Sequence, residues 1–165
     1  MYIKQLEIDN FKSFANKVDI PMLQGFTTIS GPNGSGKSNI IDSILFALGL
    51  STSRTLRAEK LFHLISTYNK RNEAFVKVTF GETEDGDFSV ARRIRKSSQG
   101  FNSIYYLDDK IATLSHIHAK LEKYNITPNS YNVMMQGDVM SITNCTPGER
   151  RKIIDEIAGI ADFDR

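Results

Sequence analysis

A glycine-rich segment followed by a lysine and a serine is the part of this sequence best suited to chemistry. Residues 31–38 match the pattern GxxxxGK[ST], with Gly31, Gly36, Lys37 and Ser38 at its fixed positions. Glycines permit backbone angles that turn N–H groups inward, where they bind phosphate oxygens. The lysine adds a charge for the β- and γ-phosphates, and the serine hydroxyl is placed to ligate Mg²⁺. The segment therefore predicts a binding loop for the phosphates of a nucleotide.

Two predicted elements hold this loop in place. Residues 26–29, Phe-Thr-Thr-Ile, are rich in β-branched side chains and lead into the glycines, which predicts a buried strand. Lys37 to Gly49 is predicted to be a helix, because its apolar residues recur at helical spacing and Gly49 suits a C-terminal stop. A strand before the loop and a helix after it are the context that supports phosphate binding. The alternative is a glycine-rich turn that matches the pattern by chance.

The rest of the chain reads as strands, hairpins and two further helices. An antiparallel pair is expected to turn near Ala15-Asn16, and a hairpin is expected at Asp85-Gly86. A capping box at 146–149, Thr-Pro-Gly-Glu, predicts the start of a helix that runs to about Ala158. The other predicted elements are strands over 2–11, 18–21, 74–80, 88–94 and 104–107, a turn at Asp108-Asp109, a helix over 114–124, and a loop from Pro128 into 131–135.

Composition limits the classes of function. The chain has 165 residues, a formal net charge of +2 and one cysteine, Cys145, so no intrachain disulfide can form. His63, His116 and His118 do not make a convincing ligand set, and exposed polar positions are the simpler interpretation. The N-terminus has no secretory signal, and no segment has the ~20 apolar residues of a membrane span. We therefore expect a cytoplasmic protein without a membrane partner.

Other classes of phosphate-loop protein fit less well. A GTPase needs a base-reading NKxD well after the loop and a DxxG switch. Residues 16–19, Asn-Lys-Val-Asp, match the first motif but precede the loop, and no DxxG occurs in the sequence. We interpret the NKxD match as chance. A small-molecule kinase would need an acid-bearing strand and an Arg-rich lid, and the sequence shows neither clearly.

Five segments resemble, in order and spacing, the N-terminal half of an SMC (structural maintenance of chromosomes) ATPase head. They are 10–14 (Asn-Phe-Lys-Ser-Phe), 31–42 around the phosphate loop, 56–58 (Leu-Arg-Ala), 135–138 (Met-Gln-Gly-Asp) and 149–161, which contains Glu-Arg-Arg and Ala-Gly-Ile-Ala. The loop alone would not separate SMC proteins from other ABC (ATP-binding-cassette) ATPases, whereas the five segments together do. The resemblance covers nearly the whole chain. It implies an α/β fold, the N-terminal lobe of a P-loop NTPase, with a mixed sheet around the P-loop helix and an antiparallel β-subdomain.

The same resemblance implies ATP and Mg²⁺ as cofactors and assigns roles outside the loop. Gln136 matches the family's Q-loop glutamine, which reaches the Mg²⁺ and the attacking water, and Arg57 matches an arginine associated with nucleotide contact and DNA-stimulated turnover. From the residues alone, Gln136 is equally well a polar loop residue, and Arg57 is more simply a solvated helix-face charge. The implied catalytic residues are Lys37, Gln136 and Arg57, and the implied metal ligands are Ser38 and Gln136. The implied nucleotide contacts are Lys12, Ser13, Pro32, Asn33, Gly34, Ser35, Gly36, Lys37, Ser38 and Asn39, with a plain hairpin turn as the alternative for Lys12 and Ser13.

Two motifs of ABC-type hydrolysis are missing from the sequence. Residues 153–156, Ile-Ile-Asp-Glu, imitate a Walker B acid pair, but only two apolar residues precede the acids and the segment lies in a predicted helix. No Ser-Gly-Gly signature occurs. The resemblance places both motifs in a C-terminal half of the head, beyond a coiled coil and hinge. Residues 1–165 would thus form half of one catalytic site, which we expect to be inactive alone and to hydrolyse ATP in the full-length dimer.

The implied function is ATP-dependent head engagement in chromosome condensation and segregation. The implied partners are the C-terminal half of the same head, a second SMC head (a homodimer in a bacterium or archaeon), a kleisin-type subunit and DNA. The implied location in a prokaryote is the nucleoid. Two other functions stay open: the head fragment of a DNA-repair ABC ATPase, and a nucleotide-dependent interaction module. The length and hinge type of the coiled coil would separate the repair protein from an SMC protein.

Dispersed basic residues suggest where DNA would bind. Such groups give sequence-independent affinity by displacing counterions from the DNA phosphates. A solvated hairpin face explains them equally well, and a regular strand would place Arg92 on the same side as Val90 and Ile94, which favours a structural role for it. The candidates are Arg54, Arg57, Lys60, Lys70, Arg71, Arg92, Arg93, Arg95 and Lys96.

Overall fold

The computed structural model describes residues 1–50, 61–127 and 145–157. The chain divides into two compact units, Met1–Tyr124 and Asn125–Arg165. The strands of the first unit are β1 (Tyr2–Asp9), β2 (Val18–Pro21), β3 (Glu73–Gly81), β4 (Phe88–Ser97), β5 (Gly100–Leu107) and β6 (Lys110–Ala112). Its helices are α1 (Lys37–Leu48), a short 3-10 helix (Leu61–Leu64) and α2 (Leu114–Glu122), and the second unit contains α3 (Pro147–Ile157).

The six strands form one sheet in the order β2-β1-β3-β4-β5-β6, and all five described pairings are antiparallel. The predicted pairing of β1 with β2 is confirmed, as is the hairpin at Asp85-Gly86, where Gly86 takes the left-handed φ of +85° that favours glycine. Asp108 and Asp109 also have positive φ, 49° and 61°, and join β5 to β6. The sequence did not predict β6, because three residues are too few to show alternation.

One face of this sheet carries the core. Alternate residues of β3 are buried, and the register aligns Leu6, Val78 and Val90 on neighbouring strands. Helix α1 packs on this face and buries Phe46 against Phe11, with ring centroids 5.1 Å apart. The sheet therefore serves as the platform on which the helix after the phosphate loop is fixed.

Helix α1 confirms the prediction made from its apolar spacing. It begins at Lys37 and ends at Leu48, and Gly49, with φ of 65°, donates its N–H to carbonyl oxygens of the last turn. This left-handed C-terminal residue is the usual way in which a helix is stopped by glycine. The start of the helix is thus placed directly at the lysine and serine of the phosphate loop.

The prediction of a buried strand over residues 26–29 is wrong for this chain. The segment does not form a strand, and its side chains are exposed, Phe26 at 95% and Ile29 at 42%. A strand that is apolar along its length needs neighbouring strands and cover on both faces. Within the described ranges, no strand pairs with this segment. The β-branched composition favoured a strand, but no described strand lies beside this segment to pair with it.

The second unit contains the predicted capped helix. Glu149 Oε2 accepts hydrogen bonds from Thr146 N (2.8 Å) and Thr146 Oγ1 (2.7 Å), and Glu149 N donates to Thr146 Oγ1 (3.4 Å). Residues 153–156 lie inside this helix rather than at the end of a buried strand, and Asp155 pairs with Arg151 one turn earlier, at 3.5 Å. Rejection of this segment as a Walker B motif is therefore confirmed. Ala158 and the predicted loop over 131–135 lie outside the described residues.

Candidate nucleotide-binding site

The loop over residues 31–38 has the backbone that its glycines predicted. Gly34 and Gly36 have φ of +82° and +93°, a region that L-residues rarely adopt. Ser35 N donates to Pro32 O at 3.3 Å, which closes a tight turn. A Cβ on Gly31 would lie 2.9 Å from Ser35 Oγ, so a side chain there would force the Ser35 hydroxyl to move. Pro32 and Asn33, like Gly34 and Ser35, are exposed and accessible to a ligand.

The start of α1 is suited to an anion. Gly36 is the N-cap residue and has no side chain to accept hydrogen bonds from the N–H groups of the first turn, which also contains no acidic residue. Lys37 Nζ reaches back over the loop and donates to Gly31 O and Pro32 O, each at 2.7 Å. Ser38 is exposed one residue into the helix. A helix N-terminus of this kind attracts phosphate through both its N–H groups and its dipole.

The turn after β1 brings two more predicted residues to α1. Lys12 Nζ lies 2.6 Å from Asp42 Oδ2, and the Asp42 side chain is fully buried one helical turn after Ser38. Ser13 Oγ accepts a hydrogen bond from Asn39 Nδ2 at 2.8 Å. The structure thus brings Lys12, Ser13 and Asn39 beside the phosphate loop, with Lys12 bonded to Asp42 of α1.

Ser13 also limits the space at the end of the phosphate loop. A Cβ placed on Gly36 would lie 2.8 Å from Ser13 Oγ. Glycine is therefore favoured by its backbone angle, and a side chain at this position would also displace Ser13 Oγ from its hydrogen bond with Asn39. The turn after β1 and the phosphate loop are in this way fitted to each other.

The described residues fit the phosphates of a nucleotide better than they fit a metal. The cradle at residues 31–38 supplies N–H groups and a lysine, whereas Ser38 is a single hydroxyl ligand. Within residues 1–50, 61–127 and 145–157, no three His, Cys, Asp or Glu residues cluster as metal ligands. A bound Mg²⁺ would therefore take its remaining ligands from phosphate oxygens and from other groups. Gln136 and Arg57 lie outside the described residues.

Sequence reasoning missed the role of Asp42. Its carboxylate is 0% exposed and bonds the Lys12 ammonium, so it links the turn after β1 to the helix. A signal was present, because an acid at position 42 falls among the apolar residues of α1, where a charge is expected only with a partner.

His63 and His116 are exposed, as expected, whereas His118 is half-buried with Nε2 3.2 Å from Gly49 O.

Arg92 is structural, the alternative that its strand position had suggested. It is 6% exposed, and its guanidinium lies between the Phe46 and Tyr105 rings, 4.6 Å from each centroid. It donates to Ser103 Oγ at 2.9 Å and to Phe46 O, in the last turn of α1, at 3.3 Å. Burial lowers the pKa of Arg92 from its ordinary value and raises the pKa of Tyr105. Arg92 therefore cannot belong to a DNA-binding surface.

The remaining basic candidates include exposed residues, ion-paired residues and residues outside the described ranges. Lys70, Arg93, Arg95 and Lys96 are exposed, and Arg95 Nε lies 4.0 Å from Glu73 Oε2. Arg71 is held by Asp9 at 2.6 Å, and the bonding to Asp9 raises the pKa of its guanidinium. Arg54 and Lys60, with Arg57, lie outside the described residues. The described part of the predicted patch is therefore smaller than the sequence suggested.

The chain matches the RecF/RecN/SMC N terminal domain over residues 2–141. The chain belongs to this family. It is 50% identical to the chromosome partition protein Smc of Gloeobacter violaceus over 168 aligned residues, and 41% identical to that of Pyrococcus furiosus over 172. These alignments cover 100% and 99% of this chain and 14% of each relative, so the chain spans about one seventh of the length of the curated relatives it matches.

Solved structures of this family agree with the fold. A chain from a study of ATP-driven dimerization and DNA-stimulated activation of SMC ATPases aligns with a TM-score of 0.82 and 38% identity, covering 95% of this chain and 99% of that one. An Smc head of Pyrococcus furiosus bound to the C-terminal domain of ScpA aligns with a TM-score of 0.84 and 39% identity, covering 99% of this chain and 43% of that one. The resemblance read from five sequence segments is confirmed, and so is the predicted class of an SMC-type α/β lobe with an antiparallel subdomain.

None of the helices in the described ranges has the length and apolar character that a bilayer crossing requires.

Proposed function

We propose that residues 1–165 are the N-terminal half of an SMC ATPase head, which binds ATP with Mg²⁺ through residues 31–38. The observation that carries the proposal is the left-handed glycine loop ending at the exposed N-terminus of α1, with the Lys37 ammonium lying over it. This arrangement offers N–H groups and a cation to phosphate oxygens. Membership of the family supports the same assignment.

Each proposed site residue has a chemical task. Lys37 and the loop residues 32–36 hold the β- and γ-phosphates, while Ser38 and Gln136 ligate Mg²⁺, the group that neutralises phosphate charge when bound. Gln136 also orients the attacking water, and Arg57 contacts the nucleotide through its planar guanidinium. Lys12, Ser13 and Asn39 complete the nucleotide contacts from the two elements beside the loop.

This chain has exposed apolar side chains near the phosphate loop that the C-terminal half of the head would cover. Four apolar side chains before and after the loop are exposed: Leu23 (81%), Phe26 (95%), Ile29 (42%) and Ile41 (38%). Their closeness in sequence to the loop favours an interface on this side of the chain. We infer that the C-terminal half of the same head packs here and pairs with residues 26–29 as a strand. That half would also bring the Walker B acids and the signature motif.

The complete protein would use ATP to join two heads during chromosome condensation and segregation. The partners are a second SMC head, a kleisin-type subunit and DNA bound without sequence preference, and the location is the cytoplasm, at the nucleoid in a prokaryote. Solved relatives include an SmcHead bound to the C-winged helix domain of ScpA, which is 39% identical to this chain. A RecF–ATP structure aligns at only 20% identity with a TM-score of 0.62, which supports a shared fold alone. The higher identities favour the chromosome-partition role over a repair role.

Turnover by the separate and combined halves tests the proposal. The purified chain should show no ATPase activity above background, because the acids that activate water are absent from its sequence. Mixing it with the C-terminal half of its head should give turnover, and Lys37→Ala in this chain should abolish that turnover. ATP hydrolysis by the chain alone, equally fast after Lys37→Ala, would point to a contaminant. Hydrolysis by the chain alone that Lys37→Ala removes would overturn the half-site proposal.

A salt titration tests the DNA contacts. Reversing Arg93, Arg95 and Lys96 to glutamate, with buried Arg92 left intact, should weaken DNA binding and reduce the slope of log K against log salt by about 2–3. Lys110→Glu on the edge strand β6 is the control and should leave the slope unchanged. An unchanged slope in the triple variant would exclude this surface from the DNA contacts.

A further inference from the structure

The turn that carries Lys12 and Ser13 is hydrogen-bonded to a segment that the proposed site does not include. We call residues 10–15 the nucleotide-side loop and residues 64–73 the clamp segment. The two are far apart in sequence but are joined at the backbone, since Lys12 N donates to Leu64 O at 2.7 Å. The position of Lys12 and Ser13 therefore depends on residues beyond the loop itself.

Asn10 makes the first group of hydrogen bonds between the nucleotide-side loop and the clamp segment. It is fully buried with a positive φ of 54°, a conformation that costs free energy and needs support from its surroundings. Its amide Nδ2 donates to Glu73 O at 2.6 Å and to Arg71 O at 3.3 Å, and its own carbonyl accepts from Ser66 N at 2.9 Å. The strained start of the nucleotide-side loop is thus fixed by three hydrogen bonds to the clamp segment.

Arg71 and Asn69 make the second group of contacts between the clamp segment and the nucleotide-side loop. Arg71 bonds both carboxylate oxygens of Asp9, at 2.6 and 2.9 Å, and also donates to Ala15 O at 2.8 Å. Asn69 Nδ2 donates to the same Ala15 oxygen at 2.6 Å, while Asn69 Oδ1 accepts from Arg71 N at 3.0 Å. One guanidinium therefore ties the end of β1 to the far end of the nucleotide-side loop, a geometry that the planar fork of arginine permits and lysine does not.

We propose that Arg71, supported by Asn69, is a positioning residue for nucleotide binding. It fixes both ends of the nucleotide-side loop, so that Lys12 lies against Asp42 and Ser13 against Asn39 beside the phosphates. This inference rests on the proposed function. It moves Arg71 out of the DNA-binding patch, because its guanidinium is already engaged by Asp9 and Ala15.

Equilibrium binding of MgATP to the full-length protein tests the inference. The variants are Arg71→Ala, Arg71→Lys and Asn69→Ala, each made in the wild type and in a Lys12→Ala/Ser13→Ala background. Lys110→Ala is the matched control, since it removes one positive charge from an exposed edge strand. Thermal unfolding of every variant is measured in parallel, so that nucleotide affinity is compared at a temperature where each variant is folded.

Arg71→Ala is expected to raise the Kd for MgATP about tenfold, with Arg71→Lys and Asn69→Ala in between and Lys110→Ala unchanged. In the Lys12→Ala/Ser13→Ala background, Arg71→Ala should add little, because it acts through those residues. DNA affinity and its salt dependence should not change. An unchanged Kd, or an effect of the same size in both backgrounds, would overturn the inference. If Lys37→Ala also left the Kd unchanged, the failure would instead lie with the proposed nucleotide site.

Discussion

Replacing Gly36 with alanine separates the two reasons for glycine at the end of the phosphate loop. The first is its φ of +93°, which costs an alanine about 1–2 kcal/mol, partly offset by about 0.4–1 kcal/mol from the loss of freedom in the unfolded chain. The second is the new Cβ, which would lie 2.8 Å from Ser13 Oγ and force that side chain or the turn to move. We expect a net loss of about 2 kcal/mol, given that overpacking adds roughly 1 kcal/mol or more.

Gly86 offers a matched control within the same molecule. Its φ is +85° and a Cβ there would meet nothing within 4 Å, so Gly86→Ala tests the backbone angle without the contact. It should cost about 1 kcal/mol or less, by the same balance of backbone strain and unfolded-state entropy. Urea unfolding of the purified protein measures both variants, and the shift of the midpoint gives the difference in free energy of unfolding.

The two substitutions should also differ in nucleotide affinity. Gly36→Ala should weaken MgATP binding about tenfold or more, because Ser13 and the start of α1 are displaced, whereas Gly86→Ala should not change it. Adding Ser13→Ala should recover most of the extra loss of stability in Gly36→Ala. If Gly36→Ala is no more destabilising than Gly86→Ala, or if Ser13→Ala recovers nothing, the close packing of the turn against the phosphate loop is refuted.

Two further predictions concern stability. Arg92→Ala should lower the free energy of unfolding by about 3–5 kcal/mol, and Arg92→Lys by about 2 kcal/mol. The reason is that the contacts with the Phe46 and Tyr105 rings and the hydrogen bonds to Ser103 and Phe46 are lost or weakened. Equal urea midpoints for wild type and Arg92→Ala would contradict the buried position of Arg92. The hydrogen bond and charge of Lys120 lower the pKa of Asp85 below its ordinary 3.8, so this pair stabilises the fold above that pH and its contribution is lost as the pH falls through the lower folded value. The stability difference between wild type and Lys120→Met should therefore shrink as the pH is lowered through this range, and a difference that grew instead would contradict the assignment.

The sequence predicted the elements whose signals are local. The apolar spacing of α1, the glycines at 36 and 49, and the capping box at 146–149 each specify structure within a few residues, and all three predictions are confirmed. The strand predicted over 26–29 failed because pairing is not local. Its β-branched residues favour a strand, but the chain supplies no neighbouring strand within the described ranges.

The same distinction applies to the candidate site. The phosphate loop is contiguous, so its residues and their spacing could be read directly. Asp42, Asn10 and Arg71 act through contacts with residues 30 to 63 positions away. The acid among the apolar residues of α1 indicated that Asp42 has a partner, but no single-sequence pattern identifies the partners of these three residues. Lys70 and Arg71 are neighbouring candidates for DNA contact in the sequence, whereas the structure engages the Arg71 guanidinium with Asp9. Arg92 was partly predictable, because the period of two in a strand placed it on the buried face.

Equilibrium binding of MgATP to wild type and Lys37→Ala tests the central claim most directly. Lys37 Nζ lies over the loop, where a phosphate would accept its hydrogen bonds in place of Gly31 O and Pro32 O. The account predicts that wild type binds MgATP and that Lys37→Ala weakens binding by at least about a hundredfold, while its urea midpoint stays close to that of wild type. A dissociation constant for Lys37→Ala within a few-fold of wild type would contradict the assignment of residues 31–38 as the nucleotide-binding loop.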